Sequence, residues 1–349
     1  MGQWVCSFSF AHADTVYMPW KEGQKRIVFS MDNNLNGDKV RFRFSNRYGI
    51  RNDEIASVII GKEDSDRNIP VTVGKRKSFV VPAGKSILTD AADLAVTPGE
   101  TIWIQIDFKD AVKPESGYGL DGVSVGYLEE MDIYTSDKPS VVVAFGDSIT
   151  RMDMWTKPLR NELYQKFPGK ISFSNKGISG NRLIYDCMKI HHNAFGVAGI
   201  KRFPYDVLAI PGLTHVIFAL GTNDLGHPGE PDCPIAEKIS VEAYEDAAFS
   251  ITGQLHRLGI KVYGATITGR VMNPPYWTEE KEADRIEINE WIRKSGAFDA
   301  VFDYEKAVER TDGTKGRAPE YDFGDGLHLS AAGGEAVKAV IPLELFGCS

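Results

Sequence analysis

Cysteine is scarce, and what there is lies too far apart for metal or disulfide work. The four residues, Cys6, Cys187, Cys233 and Cys348, form no CxxC pair. Zinc sites and disulfide frameworks announce themselves by clustered spacings, so neither is expected, and the thiols read as free in a reducing compartment. Basic charge is also in short supply: 40 Lys and Arg stand against 48 Asp and Glu, a net of −8 at pH 7. Affinity for nucleic-acid phosphates needs a basic surface that releases counterions, so no nucleic-acid partner is expected, nor adhesion to an anionic membrane. The densest basic cluster, Lys75-Arg76-Lys77, reads as a solvated turn. No apolar stretch approaches the roughly 20 residues that span a bilayer, which argues against membrane insertion. The opening MGQWVCSFSF lacks a basic segment followed by an apolar one, and Cys6 stands where a myristoylation pattern wants Ser or Thr. The expectation is a cytoplasmic protein, or a mature one from which a signal has been removed.

What is present is a globular composition, 42% hydrophobic and 25% charged, in a chain of 349 residues, long enough for two domains. There is no internal repeat. The first ~135 residues alternate apolar and polar positions in short runs: RIVFSM (26–31), KVRFRFSN (39–46), ASVIIGK (56–62), IPVTVG (69–74), KSFVVP (77–82) and TIWIQIDF (101–108). Period two with closely spaced turn residues predicts an all-β sandwich of jelly-roll type. The segment MDIYTSDKPS (131–140) reads as a polar, turn-rich junction. Beyond it, apolar runs at 140–148, 170–177, 214–221, 261–268 and 300–304 alternate with amphipathic stretches at Trp155–Phe167, Ser240–Leu258, Thr278–Ser295 and Ser330–Leu345. Near-continuous Val/Ile/Phe strands separated by helices predict a parallel sheet covered on both faces, whose ligands bind beyond the carboxyl ends of its strands.

The residues with chemistry in them sit at those strand ends. Gly146-Asp147-Ser148 follows VVVAF, where a strand-to-helix turn exposes a hydroxyl beside the N–H groups of the next helix. Taken alone, such a turn is more often a helix cap. A serine nucleophile needs a base, and the base an orienting carboxylate. Asp325-Gly326-Leu327-His328 supplies both ahead of the last helix. Donors for a developing oxyanion are available at Gly177 and Gly180 in SNKGISGN (174–181) and at Asn223 in LGTND (220–224). His191-His192 lacks a partner at helical spacing, so no metal is expected; His12, His215, His227 and His256 read as surface or packing residues.

Taken together, GDSIT (146–150), NKGISGN (175–181), GTND (221–224) and DGLH (325–328) resemble the four blocks of the SGNH/GDSL hydrolases, over roughly residues 140–349. Ile149 replaces the Leu of the family name without touching the chemistry. The resemblance implies an α/β, flavodoxin-like three-layer α/β/α domain and a serine esterase that needs no cofactor. On that basis Ser148 is the nucleophile and, through its N–H, the first oxyanion donor. Gly180, five residues after Asn175, takes the second donor role over Gly177, and the Asn223 amide the third. His328 is the base and Asp325 its partner. The segments at 154–163, 210–224 and 285–304 extend the likeness to a two-domain bacterial branch with an N-terminal β module, whose hallmark VRFRFSNRYG (40–49) resembles. The expected domains are therefore 1–135 and 136–349. Many members of that branch are secreted, whereas no signal is visible here. The implied substrate is a small-molecule or oligosaccharide ester. A short-chain carbohydrate deacetylase leads, because the β module resembles sugar-binding sandwiches. A general aryl or lipid esterase of lysophospholipase type and a non-catalytic carbohydrate-binding protein are the alternatives; oligomeric state is left open. Segments 226–238 and 273–280 are expected to border the pocket, with Tyr276 and Trp277 either stacking on a sugar or packing in the core.

Overall fold

A computed structural model of the chain describes residues 2–15, 23–63, 65–120, 123–188, 194–270, 276–312 and 316–347. His191, His192, Cys348 and positions 273–275 of the expected rim lie outside the described residues.

From Ser140 onward the apolar runs become a five-stranded parallel sheet. Its order is Ile171–Gly177, Ser140–Gly146, His215–Ala219, Lys261–Ala265 and Ala300–Phe302. This is the 2-1-3-4-5 order of flavodoxin-like sheets, as expected, and its switch point lies where the chain leaves Gly146. All seven residues of Ser140–Gly146 are buried because helices or further strands cover both faces. Val142 and Ala144 meet Trp155, Leu159, Leu163 and Val337 on one side. Val141, Val143 and Phe145 join Phe203, Ile251 and Leu255 on the other. The flanking helices start where their caps direct: Ser240, Thr278 and Ser330 each accept a first-turn N–H, opening Val241–Arg257, Glu279–Lys294 and Ala331–Ala339. The last helix stops at Ala339 rather than near Leu345, with Pro342 just beyond it and a 3₁₀ turn at Leu343–Phe346.

Before Ser140 the chain is antiparallel β, a sandwich preceding the α/β part. One sheet runs Gln3–Ser9, Leu128–Thr135, Lys39–Ser45, Ser86–Leu88; a second runs Gln24–Asp32, Thr101–Val112, Asp53–Lys62, Ile69–Val71, with Phe79–Val81 also on Asp53–Lys62. A small third sheet joins Val123–Gly126, Ser116–Leu120 and Ala13–Asp14. Lys75-Arg76-Lys77 is an exposed turn. The expected junction at 131–140 is corrected here: residues through Thr135 belong to a buried strand in the middle of the first sheet. Its acidic residues are matched inside the fold, Asp132 by Arg41 at 2.8 Å and Glu130 by Arg43 at 3.2 Å.

The two regions share one hydrophobic cluster, running from Val5, Val40 and Ile133 to Val141 and Phe218. Polar links reinforce the seam. Cys6 N–H donates to Pro211 O at 2.9 Å, Ser172 Oγ to Cys6 O at 2.6 Å, and Asn34 Nδ2 to Ile171 O at 2.8 Å. Lys176 Nζ donates to Phe10 O.

Candidate active site

The Ser148 position is built by the strand that precedes it. Ser148 opens a one-turn helix, Ser148–Arg151, and Asp147 caps that turn by accepting Ile149 N–H at 2.9 Å. Ser148 is 5% exposed. Its N–H has no acceptor among the described residues. Gly177 lets the second block close on this turn: a Cβ there would stand 2.4 Å from Arg151 N and 2.8 Å from Asp147 O. Gly177 therefore serves packing, and the glycine at the tip of the loop is Gly180, with φ of 70°. That left-handed backbone suits glycine, and a Cβ would also strike the Phe195 ring at 2.4 Å. The Gly180 N–H also has no acceptor among the described residues.

Asn223, on the short helix Thr222–Gly226, is buried. One N–H of its amide donates to Asn181 O at 3.0 Å, which ties it to the residue after Gly180 and leaves the second N–H to donate elsewhere. The neighbouring Asp224 accepts Leu183 N–H at 2.7 Å and Ile184 N–H at 3.0 Å. Burial pushes the Asp147 carboxyl up to about 7, with the Asp224 charge adding to it, and burial pushes Asp224 up to about 6 against the hydrogen bonds it accepts.

His328 comes from the loop ahead of Ala331–Ala339. His328 Nε2 lies 2.8 Å from Ser148 Oγ, and His328 Nδ1 lies 2.5 Å from Asp325 Oδ2. A carboxylate can only accept, so Nδ1 carries the proton and Nε2 accepts from the serine hydroxyl. Asp325 Oδ1 also accepts Leu327 N–H at 2.9 Å and His328 N–H at 2.8 Å. Partial burial raises this carboxyl, but the imidazole and the two backbone donors outweigh it and hold Asp325 at about 2. Ser148, His328 and Asp325 are thus brought into direct contact, while Asn223 and Gly180 are linked through Asn181.

Several residues that shape the site carry no motif. Arg317, fully enclosed, donates to Leu327 O at 2.6 Å, to His328 O, and to Thr268 Oγ1 at 3.1 Å, pinning the base loop to the end of the Lys261–Ala265 strand. Lys281 donates to Gly226 O, Pro228 O and Tyr276 O at 2.7–2.9 Å, joining the two expected rim segments. An isolated basic residue in a helix or loop gives no sequence signal for such a role. Of the two aromatics, Trp277 is a packing residue: it is buried, its Nε1 donates to Glu282 at 3.1 Å, and the Arg270 guanidinium covers its ring at 4.6 Å. Tyr276 is 42% exposed. His227 bonds Glu230 at 2.8 Å and stacks on Phe195. His12 is buried against Ser116 and Leu128 O, His215 packs on Tyr263, and His256 pairs with Asp299. Cys6, Cys187 and Cys233 are free thiols. Cys6 lies beside Glu130 and Asp132, the one group of three metal-ligand side chains among the described residues, and both carboxylates there already have arginine partners.

No helix among the described residues is long and apolar enough to cross a membrane. No curated protein matches the chain. Similar solved structures include a GDSL-like lipase from Bacteroides thetaiotaomicron (18% identity, TM-score 0.42, 58% of this chain and 88% of that one). An alpha/beta hydrolase from the metagenome of Lake Arreo matches at 16% identity and TM-score 0.44, over 58% and 92% of the two chains. A variant of an acetyl xylan esterase from Geobacillus stearothermophilus matches at 18% and 0.43, over 58% and 94%. The model of the GDSL-like lipase/acylhydrolase family matches residues 144–336, more than half of the chain and all four blocks. The chain therefore belongs to the GDSL-like lipase/acylhydrolase family and is a carboxylic ester hydrolase.

Proposed function

We propose that the protein removes short acyl groups, acetyl foremost, from carbohydrate hydroxyls. In this reading Ser148 is the nucleophile, His328 the base and Asp325 its ionised partner. The N–H groups of Ser148 and Gly180 and the Asn223 amide hold the oxyanion. The observation that carries it is the unbroken relay of 2.5 Å and 2.8 Å from Asp325 through His328 to Ser148. His328 Nε2 takes the hydroxyl proton as Ser148 Oγ bonds to the carbonyl carbon. The tetrahedral intermediate collapses with loss of the alcohol, which leaves with the proton from His328. Water, deprotonated by His328, then attacks the acyl-serine, and Ser148 recovers its proton as the carboxylic acid departs. Asp325, held at about 2, remains a carboxylate throughout and stabilises the imidazolium formed on the way.

A sugar alcohol is favoured by analogy between the preceding antiparallel sheets and sugar-binding sandwiches. We place the boundary between the two domains after Thr135, where the last antiparallel strand ends. The test is a panel of acetyl, butyryl and octanoyl esters on sugar and phenol alcohols. Highest kcat/KM on acetylated sugars is expected; faster turnover of octanoyl or phenyl esters would overturn the substrate assignment. Labelling by a fluorophosphonate should fall on Ser148, and labelling elsewhere would overturn its role.

A further inference from the structure

Beneath the site lies a guanidinium that bonds to segments leading to the proposed oxyanion donors. Arg202, on the helix Gly199–Phe203, is 0% exposed. Its Nη2 donates to Gly146 O at 2.7 Å, two residues before Ser148. Its Nη1 donates to Lys176 O at 3.0 Å, at the end of the strand that leads into the Gly180 turn, and to Asp206 Oδ2 at 3.0 Å. Its Nε donates to Asn181 Oδ1 at 2.8 Å. Four of its five N–H bonds are engaged, and its face lies 4.1 Å from the centre of the Phe145 ring.

Asn181 is engaged as fully. Its Nδ2 donates to Phe195 O at 2.8 Å and Val197 O at 2.9 Å, and its N–H to Ile178 O at 3.2 Å, closing the turn that contains Gly180. Its backbone carbonyl is the group that accepts from the Asn223 amide at 3.0 Å. Gly146 O, besides Arg202, accepts Ile178 N–H at 3.2 Å. One planar cation thus joins the strand end that presents Ser148, the strand that leads to Gly180, and the side chain of the residue that orients Asn223. Lysine has a single donor centre and cannot make these contacts in three directions together.

We infer that Arg202 and Asn181 are positioning residues of the oxyanion hole, acting on catalysis through the Asn223 amide; this rests on the donor assignment proposed above. A buried, paired arginine can also serve stability alone, and a kinetic double-mutant cycle separates the two roles. Asn181→Ala should lower kcat on 4-nitrophenyl acetate by about 10- to 10²-fold with KM within about twofold, because displaced donors fail the transition state more than the bound ester. In the Asn223→Ala background the same change should cost less than about threefold, since the donor it aligns is gone. Arg202→Lys, which keeps a cation beside Asp206, is run through the same cycle. If the Asn181 variant loses its cooperative melt, the other end of the link still answers the question. Equal losses with and without Asn223 in the folded variant would overturn the link while leaving the donors in place. An unchanged kcat for Asn223→Ala alone would overturn the donor assignment, and the link with it.

Discussion

The two halves of the site are built in opposite ways. The proposed nucleophile half is interior: Ser148, Asp147, Asn223 and Asp224 are all 5% exposed or less, and backbone from three parallel strand ends surrounds them. The base half is a surface loop, with the Asp325 side chain 43% exposed and His328 20%. Their carboxyls respond accordingly. Asp147 and Asp224 are driven up to about 7 and 6 by burial; Asp147 accepts one backbone N–H and Asp224 two. Asp325, half in water and fed by three donors, is drawn down to about 2. The contrast teaches that three aspartates within one constellation have two jobs. The buried pair shapes backbone, whereas the exposed one keeps a charge beside the histidine that the proposed mechanism makes cationic in each turnover.

The largest expected effect removes the proposed nucleophile itself. Ser148→Ala should lower kcat on an activated acetate ester by at least about 10⁴-fold while the thermal melt stays near wild type, since members of such a triad act as a unit. Wild-type-like turnover would end the assignment. On the base half, Asp325→Asn should cost about 10³-fold in kcat with little change in KM, because an amide lets the imidazole take the wrong tautomer. If the loss were small, the exposed carboxylate would have no more catalytic weight than the buried ones. On the nucleophile half, Asn223→Ala should cost on the order of 10²-fold, the value of one oxyanion donor.

The same interior/exterior divide decides what the sequence reveals. The parallel strands are legible because burial on both faces leaves unbroken apolar runs; VVVAF and HVIFA sit within a residue or two of where the pattern puts them. The helices at Val241–Arg257 and Glu279–Lys294 are legible as amphipathic stretches between the apolar strands. Leu128–Thr135 is not, because Glu129, Glu130 and Asp132 read as solvent-facing, and only the fold brings Arg41, Arg43 and Arg47 to them from distant positions. Gln3–Ser9, which pairs with that strand, is equally hidden. In the site, the four blocks stand out because Ser, Gly, Asn, Asp and His are chemically distinctive in their local settings. Arg202, Lys281 and Arg317 escape notice because what they bind is mostly backbone carbonyl, to which no residue type in the sequence corresponds.

The smallest expected effect sharpens the contrast without touching turnover chemistry, and its sign follows from the two carboxyl settings. An unfolded Asp titrates near 4, whereas Asp147 in the fold is held up to about 7, chiefly by burial. Between those values the folded chain binds more protons than the unfolded one, so this group makes stability fall as pH rises from about 4 to about 7. Asp147→Asn keeps an oxygen to accept the Ile149 N–H and removes the ionisation. Its Tm should lie closest to wild type at pH 4 and exceed it by a growing margin up to about pH 7. The corresponding Asp325→Asn change should do the reverse, removing stability at every pH where the carboxylate is ionised in the fold, because Asp325 titrates below its unfolded value. Melts of both variants from pH 4 to 8 read the difference directly. Parallel curves for the two would show that burial does not separate these aspartates after all.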